Sequence, residues 1–287
     1  MAFKTDAQIS QFGGKLYKLT HPSKSTKTDM NVNVFVPPSK NDKIPVLIYL
    51  SGLTCTPNNA SEKSFFQYFA SKYGFAIVFP DTSPRGANIQ GEDDSWDFGT
   101  GAGFYVDSLQ KPWSENYNMY SYIHKELLSE LAKEYPQLDF EDKISITGHS
   151  MGGLGALNGF LKNPGKYRSV SAFAPISNPS TCPWGEKNFG NYLGDNKLEW
   201  LKYDPSHLIK EYTHENQPDI LIHQGAADGF YAKDKQLQPE NFVKAAEESS
   251  YKGKVDLRVV EGYDHLYFFI STFTEDHAKF HAKHLGL

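Results

Sequence analysis

The chain has 287 residues, 39% hydrophobic and 22% charged, with a formal net charge of −5. That length can bury a sizeable core and fits a single larger α/β domain. The acidic balance excludes the basic footprint of a nucleic-acid or anionic-lipid binder, and no apolar run reaches the roughly 20 residues of a membrane span.

In chain order, the first residues, MAFKTDAQIS, carry no apolar core and do not read as a signal peptide. Residues 20–30 are polar and are expected to form a surface turn. Val32, Val34 and Val36 alternate with other residues in NVNVFV, the pattern of a half-buried strand. PVLIYL at 45–50 is apolar throughout, as a strand of a parallel sheet covered on both faces should be. FAIVFP at 75–80, KISIT at 143–147, SVSAFAP at 169–175, DILIHQG at 219–225 and VDLRVVEG at 255–262 predict further strands. Between them Tyr120, Ile123, Leu127 and Leu131 mark one helix face. Helices are also predicted directly after Ser150 (Met151, Leu154 and Leu157 inward), over 239–249 (Phe242, Val243 and Ala246 inward) and over 271–284. Strands alternating with helices predict an α/β fold, a mostly parallel central sheet flanked by helices, as one domain over 1–287. Residues 81–113 break the rhythm. They are rich in Gly, Asp and aromatic residues, and a packed loop walling a site is the expectation.

Gly148-His149-Ser150-Met151-Gly152 matches G-x-S-x-G between the predicted strand and the helix start. Such a turn strains the serine and exposes its hydroxyl, as in the nucleophile elbow of the α/β-hydrolases, which this arrangement resembles. A serine hydroxyl needs a base, and in that fold an acid and then a histidine follow it in the chain. His265, in the loop after the last predicted strand, is the candidate base. Asp228, in the loop after DILIHQG, is favoured as the acid over Asp264, because adjacent residues rarely aim side chains at each other. The backbone N–H groups of Met151 and Leu53 are the expected oxyanion donors, with Gly52 letting the chain turn.

SGLTC at 51–55, DSWDFGTGAGFYVD at 94–107, GHSMGG at 148–153, SAFAPISNP at 171–179 and GAADGF at 225–230 together resemble the S-formylglutathione hydrolase (esterase D) family across nearly the whole chain. The resemblance implies a metal-free, cofactor-free cytoplasmic thioesterase, commonly a homodimer. Its substrate would be S-formylglutathione, split to glutathione and formate in formaldehyde detoxification, with side activity on short carboxylesters. It places the same roles on Ser150, Asp228, His265, Leu53 and Met151. A general short-chain carboxylesterase or acyltransferase and a non-enzymatic binding protein on the same scaffold are the rival readings.

Trp96, Phe98, Tyr105 and Trp184 are expected at the substrate pocket or, equally, in the core. Cys55, two residues past the oxyanion loop, is either a regulatory thiol near the site or inert; Cys182 reads as packing. Two cysteines make no disulfide framework and fit the reducing cytoplasm, and the terminal HLGL is not a peroxisomal address. His223 is expected to be buried in its strand. His277, His281 and His284 share one helix spacing and are expected on a solvated face rather than around a metal. Arg85 and Lys187 are uncommitted candidates for pairing with the glutathionyl carboxylates.

Overall fold

A computed structural model describes residues 3–39 and 41–287. Among the described residues nine strands form one sheet: β1 (Lys4–Gln11), β2 (Gly14–Pro22), β3 (Asp29–Val36), β4 (Ile44–Leu50), β5 (Ala76–Pro80), β6 (Leu138–His149), β7 (Val170–Phe173), β8 (Ile220–Gly225) and β9 (Val255–Val260). Their spatial order is β1-β2-β3-β5-β4-β6-β7-β8-β9. The first three pair antiparallel, as does β3 with β5. From β5 to β9 the sheet is parallel. Every residue of β4, β5, β7 and β8 is buried, which is why these strands read as continuous apolar runs. The edge strand β9 instead carries Asp256 and Arg258, charges that discourage pairing with another chain.

Alternation along β7 assigns the two faces. Gly153, in the helix Met151–Lys162, lies against Ala172. Ser171 and Phe173 point the other way, toward the helix Tyr267–Leu285, through His277. The first of these helices is buried over all but its last residue, because the helix Pro205–Glu211 covers its outer side.

Several sequence expectations change. The N-terminal hairpin of β1 and β2 carries no apolar periodicity and was not anticipated. The turn narrows to the segment between β2 and β3, and within 20–30 the residues His21, Thr26 and Met30 are buried. NVNVFV is not half-buried: β3 lies between β2 and β5, Phe35 is in the core, and buried Asn33 donates to Asn58 (3.0 Å) and Ser61 (2.9 Å). The third helix is Pro239–Glu247, with Ala245 rather than Val243 fully inward, and the last begins at Tyr267. The helix over 119–134 passes through a π-helical turn at Tyr122–Leu127.

The largest correction concerns the histidines of the last helix. His277 and His281 are fully buried, and only His284 reaches solvent. The sheet face beneath them is itself polar. His223 bonds His277 (2.9 Å), and His277 bonds Ser171 (2.8 Å). His281 bridges Ser171 (2.7 Å) and Ser169 (2.8 Å), and Ser169 reaches Ser145 (2.8 Å). Helical spacing is the same for a solvated and a buried polar stripe; only the hydroxyls on β6 and β7 decide between them.

Burial holds these histidines neutral. It pushes His281 down to about 3, His223 to about 4 and His277 well below the ordinary value. His124, away from this network, is lowered to about 3 by burial and neighbouring lysines. The unfolded chain therefore takes up protons below about pH 6.5 that the folded chain refuses until much lower pH. Stability should be full above that value and fall with acidification, by up to ~1.4 kcal/mol per pH unit for each such histidine. Thermal melts from pH 7.5 to 4.5 should show a steep drop starting near pH 6.5, and His281→Gln should flatten part of it. A constant Tm over that range would contradict this account.

Candidate active site

Strand β6 runs into Ser150 and the helix Met151–Lys162 leaves it with almost no intervening chain. Ser150 has φ +59° and ψ −120°, a left-handed conformation that costs a non-glycine residue about 1–3 kcal/mol. Its N–H donates to the Phe173 carbonyl (2.9 Å), and its carbonyl accepts from Leu154 (3.1 Å) and Ile176 (3.2 Å). The motif glycines are required by contact. A Cβ on Gly148 would sit 2.1 Å from the Gly152 carbonyl oxygen, and one on Gly152 would sit 2.0 Å from that of Leu50.

Asp228 follows β8, is fully buried, and caps the short helix Gly229–Ala232 by accepting the Phe230 N–H at 2.9 Å. Its other oxygen accepts from His265 Nδ1 at 2.5 Å and from Gln224 at 3.2 Å. A carboxylate at Nδ1 puts the proton there and leaves Nε2 as the basic nitrogen. Asp264 is occupied elsewhere, accepting the Leu266 N–H at 2.9 Å. His265 lies 4.4 Å, ring to ring, from His149, the residue before Ser150, which places the Asp228–His265 pair and the serine turn at the same carboxyl edge of the sheet. His149 is buried and neutral, its basicity pushed well down by burial.

Leu53 stands in the turn after β4. A Cβ on Gly52 would lie 3.1 Å from that of Ser150, so this turn passes directly beside the serine. Among the described residues the N–H groups of Leu53 and Met151 find no acceptor within the protein. The long segment 81–113 straps the turn in place. Gly101 accepts the Thr54 N–H (2.9 Å), Tyr105 donates to the Ser51 carbonyl (2.8 Å), and Thr82 (2.6 Å) and Arg85 (3.1 Å) donate to the Cys55 carbonyl.

The four aromatic candidates separate. Tyr105 is fully buried as that strap, and Phe98 packs on Trp113 of the loop (4.8 Å) and on Tyr192 of the helix Pro183–Leu193 (5.0 Å). Trp96 and Trp184 instead meet each other (5.8 Å) and Phe230, and Phe230 lies edge-on to His265 at 5.0 Å. Sequence reasoning missed Phe230, although its place two residues after Asp228 was a usable signal. Cys55 closes the same turn, its N–H donating to the Gly52 carbonyl at 3.3 Å; it is buried, and burial raises its thiol pKa. Cys182 is a buried free cysteine at the start of the helix Pro183–Leu193. Among the described residues no group of three or more His, Cys, Asp or Glu could hold a metal ion, and no helix is long and apolar enough to cross a membrane.

The sheet order and the strand–Ser–helix elbow are those of an esterase of the α/β-hydrolase fold. The family model described as Esterase matches residues 23–280. S-formylglutathione hydrolase of Saccharomyces cerevisiae is 51% identical over 99% of both chains. That of Arabidopsis thaliana is 49% identical over 96% of this chain and 95% of its own. A solved S-formylglutathione hydrolase from Agrobacterium tumefaciens superposes with a TM-score of 0.92 over 100% of both chains at 42% identity. The chain belongs to the S-formylglutathione hydrolase family of esterases.

Asp228→Asn should leave the hydrogen-bond geometry nearly intact yet favour the wrong tautomer of His265, lowering kcat about 10³–10⁴-fold on an aryl ester. Asp264→Asn, as the control, should change kcat less than threefold, about the scale of one surface interaction. The reverse ranking in steady-state kinetics would move the acid to Asp264.

Proposed function

We propose that the protein is a serine thioesterase that hydrolyses S-formylglutathione to glutathione and formate, and that it also accepts short carboxylesters. The observation that carries this reading is full-length identity near 50% to several S-formylglutathione hydrolases, joined to the Asp228–His265 pair beside a strained Ser150. His265 Nε2 takes the hydroxyl proton as Ser150 Oγ attacks the formyl carbon. The tetrahedral oxyanion is held by the N–H groups of Leu53 and Met151, which need no reorganisation to receive it. The C–S bond breaks, and His265 returns the proton to the departing glutathione sulfur. Water, deprotonated by the same nitrogen, then attacks the formyl-serine, and formate leaves with Ser150 restored. Asp228 stabilises the imidazolium that forms in each half.

The wall of Trp96, Trp184 and Phe230 supports a site that shields this chemistry from bulk water on the His265 side. A fully intact constellation disfavours the binding-protein alternative, and labelling by a fluorophosphonate probe distinguishes it. A cytoplasmic location and a homodimer follow from the family resemblance, and light scattering tests the second.

Ser150→Ala should abolish S-formylglutathione hydrolysis while leaving the melting temperature within a few degrees; full residual activity would refute the mechanism. Comparing kcat/KM on S-formylglutathione with that on p-nitrophenyl acetate tests the substrate, since a general carboxylesterase would favour the aryl ester. Cys55 sits close enough for a bulky adduct to obstruct the oxyanion turn, but its buried, proton-holding thiol reacts slowly at neutral pH. Maleimide inactivation should accelerate with rising pH and vanish in Cys55→Ser. Equal sensitivity of that variant would assign the effect to another group.

A further inference from the structure

The glutathionyl group carries two carboxylates and one ammonium, yet the chain that must receive it has a formal net charge of −5. A cation not already neutralised is needed near the site. Arg85 is engaged: its guanidinium holds both oxygens of Asp81 at 2.9 Å and also the Cys55 carbonyl. Lys187 is engaged as well, bonded to Ser95 (2.9 Å) and paired with Asp97. Both are already paired with carboxylates of the loop over 81–113.

Lys63 differs. It ends the helix Pro57–Lys63, which begins four residues after Leu53, and it is exposed. Its neighbour Glu62 is paired with Lys18 at 3.1 Å. Among the described residues no carboxylate stands within ion-pair distance of the Lys63 ammonium. That ammonium lies 5.9 Å from the centre of the Tyr267 ring, the outer limit of a cation–π contact. Tyr267 comes two residues after His265, and its ring lies 6.1 Å from that of His149, which in turn touches His265. The ammonium is thus linked to His265 through the rings of Tyr267 and His149, whereas the wall of Trp96, Trp184 and Phe230 reaches His265 through Phe230. An extended peptide spans about 3.5 Å per residue. The carboxylates flanking the cysteinyl sulfur thus extend roughly 7–10 Å from it, to the rim of a site rather than its floor.

We infer that Lys63 takes a carboxylate of the glutathionyl moiety and so separates glutathione thioesters from neutral esters. The inference rests on the substrate proposed above. Lys63→Ala and Lys63→Arg would be assayed on S-formylglutathione and on p-nitrophenyl acetate, at low and high ionic strength. Lys63→Ala should raise KM for S-formylglutathione about three- to fivefold, the scale of one exposed ion pair, with kcat unchanged. The aryl ester should be unaffected, and Lys63→Arg should restore KM. Salt should raise the wild-type KM for S-formylglutathione and have less effect on Lys63→Ala. An unchanged KM in Lys63→Ala, or equal losses on both substrates, overturns the assignment. A wild-type enzyme that cleaves the aryl ester but not S-formylglutathione overturns the substrate reading itself.

Discussion

The backbone of Ser150 is the constraint on which the rest of the structure depends. A left-handed serine is stable only if its surroundings leave no alternative. The Phe173 carbonyl holds its N–H, two N–H groups hold its carbonyl, and the helix that follows is buried against the sheet with no room to retreat. Gly152 brings that helix so close to β4 that no side chain fits between them. The N–H of Met151, next in the chain, is left without an acceptor inside the protein, so the same strained turn carries both the proposed nucleophile and one proposed oxyanion donor.

The second proposed donor, the N–H of Leu53, depends on a long-range restraint. The turn at Ser51–Cys55 has no regular structure of its own, and its position is fixed by hydrogen bonds from Thr82, Arg85 and Tyr105 and to Gly101. Residues 81–113 are thus long and irregular but not loose: Phe98, Phe104, Tyr105 and Trp113 anchor them in the core. An oxyanion site works because its dipoles are already oriented, and a strapped turn meets that requirement where a free one would not.

His265 is held from both ends. Asp228 fixes its ring, and the helix Tyr267–Leu285 fixes its backbone. That helix docks through a polar network, with His277 and His281 satisfying the hydroxyls of Ser169 and Ser171. Buried polar groups are costly when unpaired but confer a single docking arrangement when paired. A purely apolar interface would permit slippage of the helix along the sheet; complementary hydrogen bonds do not.

The sequence by itself determined the elements whose signals are local. Apolar runs marked β4 to β8, G-x-S-x-G marked the elbow, and the loops after β8 and before the last helix marked Asp228 and His265. Its motifs also pointed to the family. Three-dimensional packing decided the rest, because there the signal is shared between distant segments. NVNVFV reads as half-buried until the helix Pro57–Lys63 packs on the face that carries Asn33. His277 and His281 read as a wet stripe until β7 supplies hydroxyls. Tyr105 and Trp184 look alike in sequence, yet one donates to the Ser51 carbonyl and braces that turn while the other packs on Trp96 and Phe230. Ser150 is a five-residue pattern in the chain, and it becomes a strained, braced turn at the sheet edge that also carries the Asp228–His265 pair only when β4, β7 and β8 bring their carboxyl ends together.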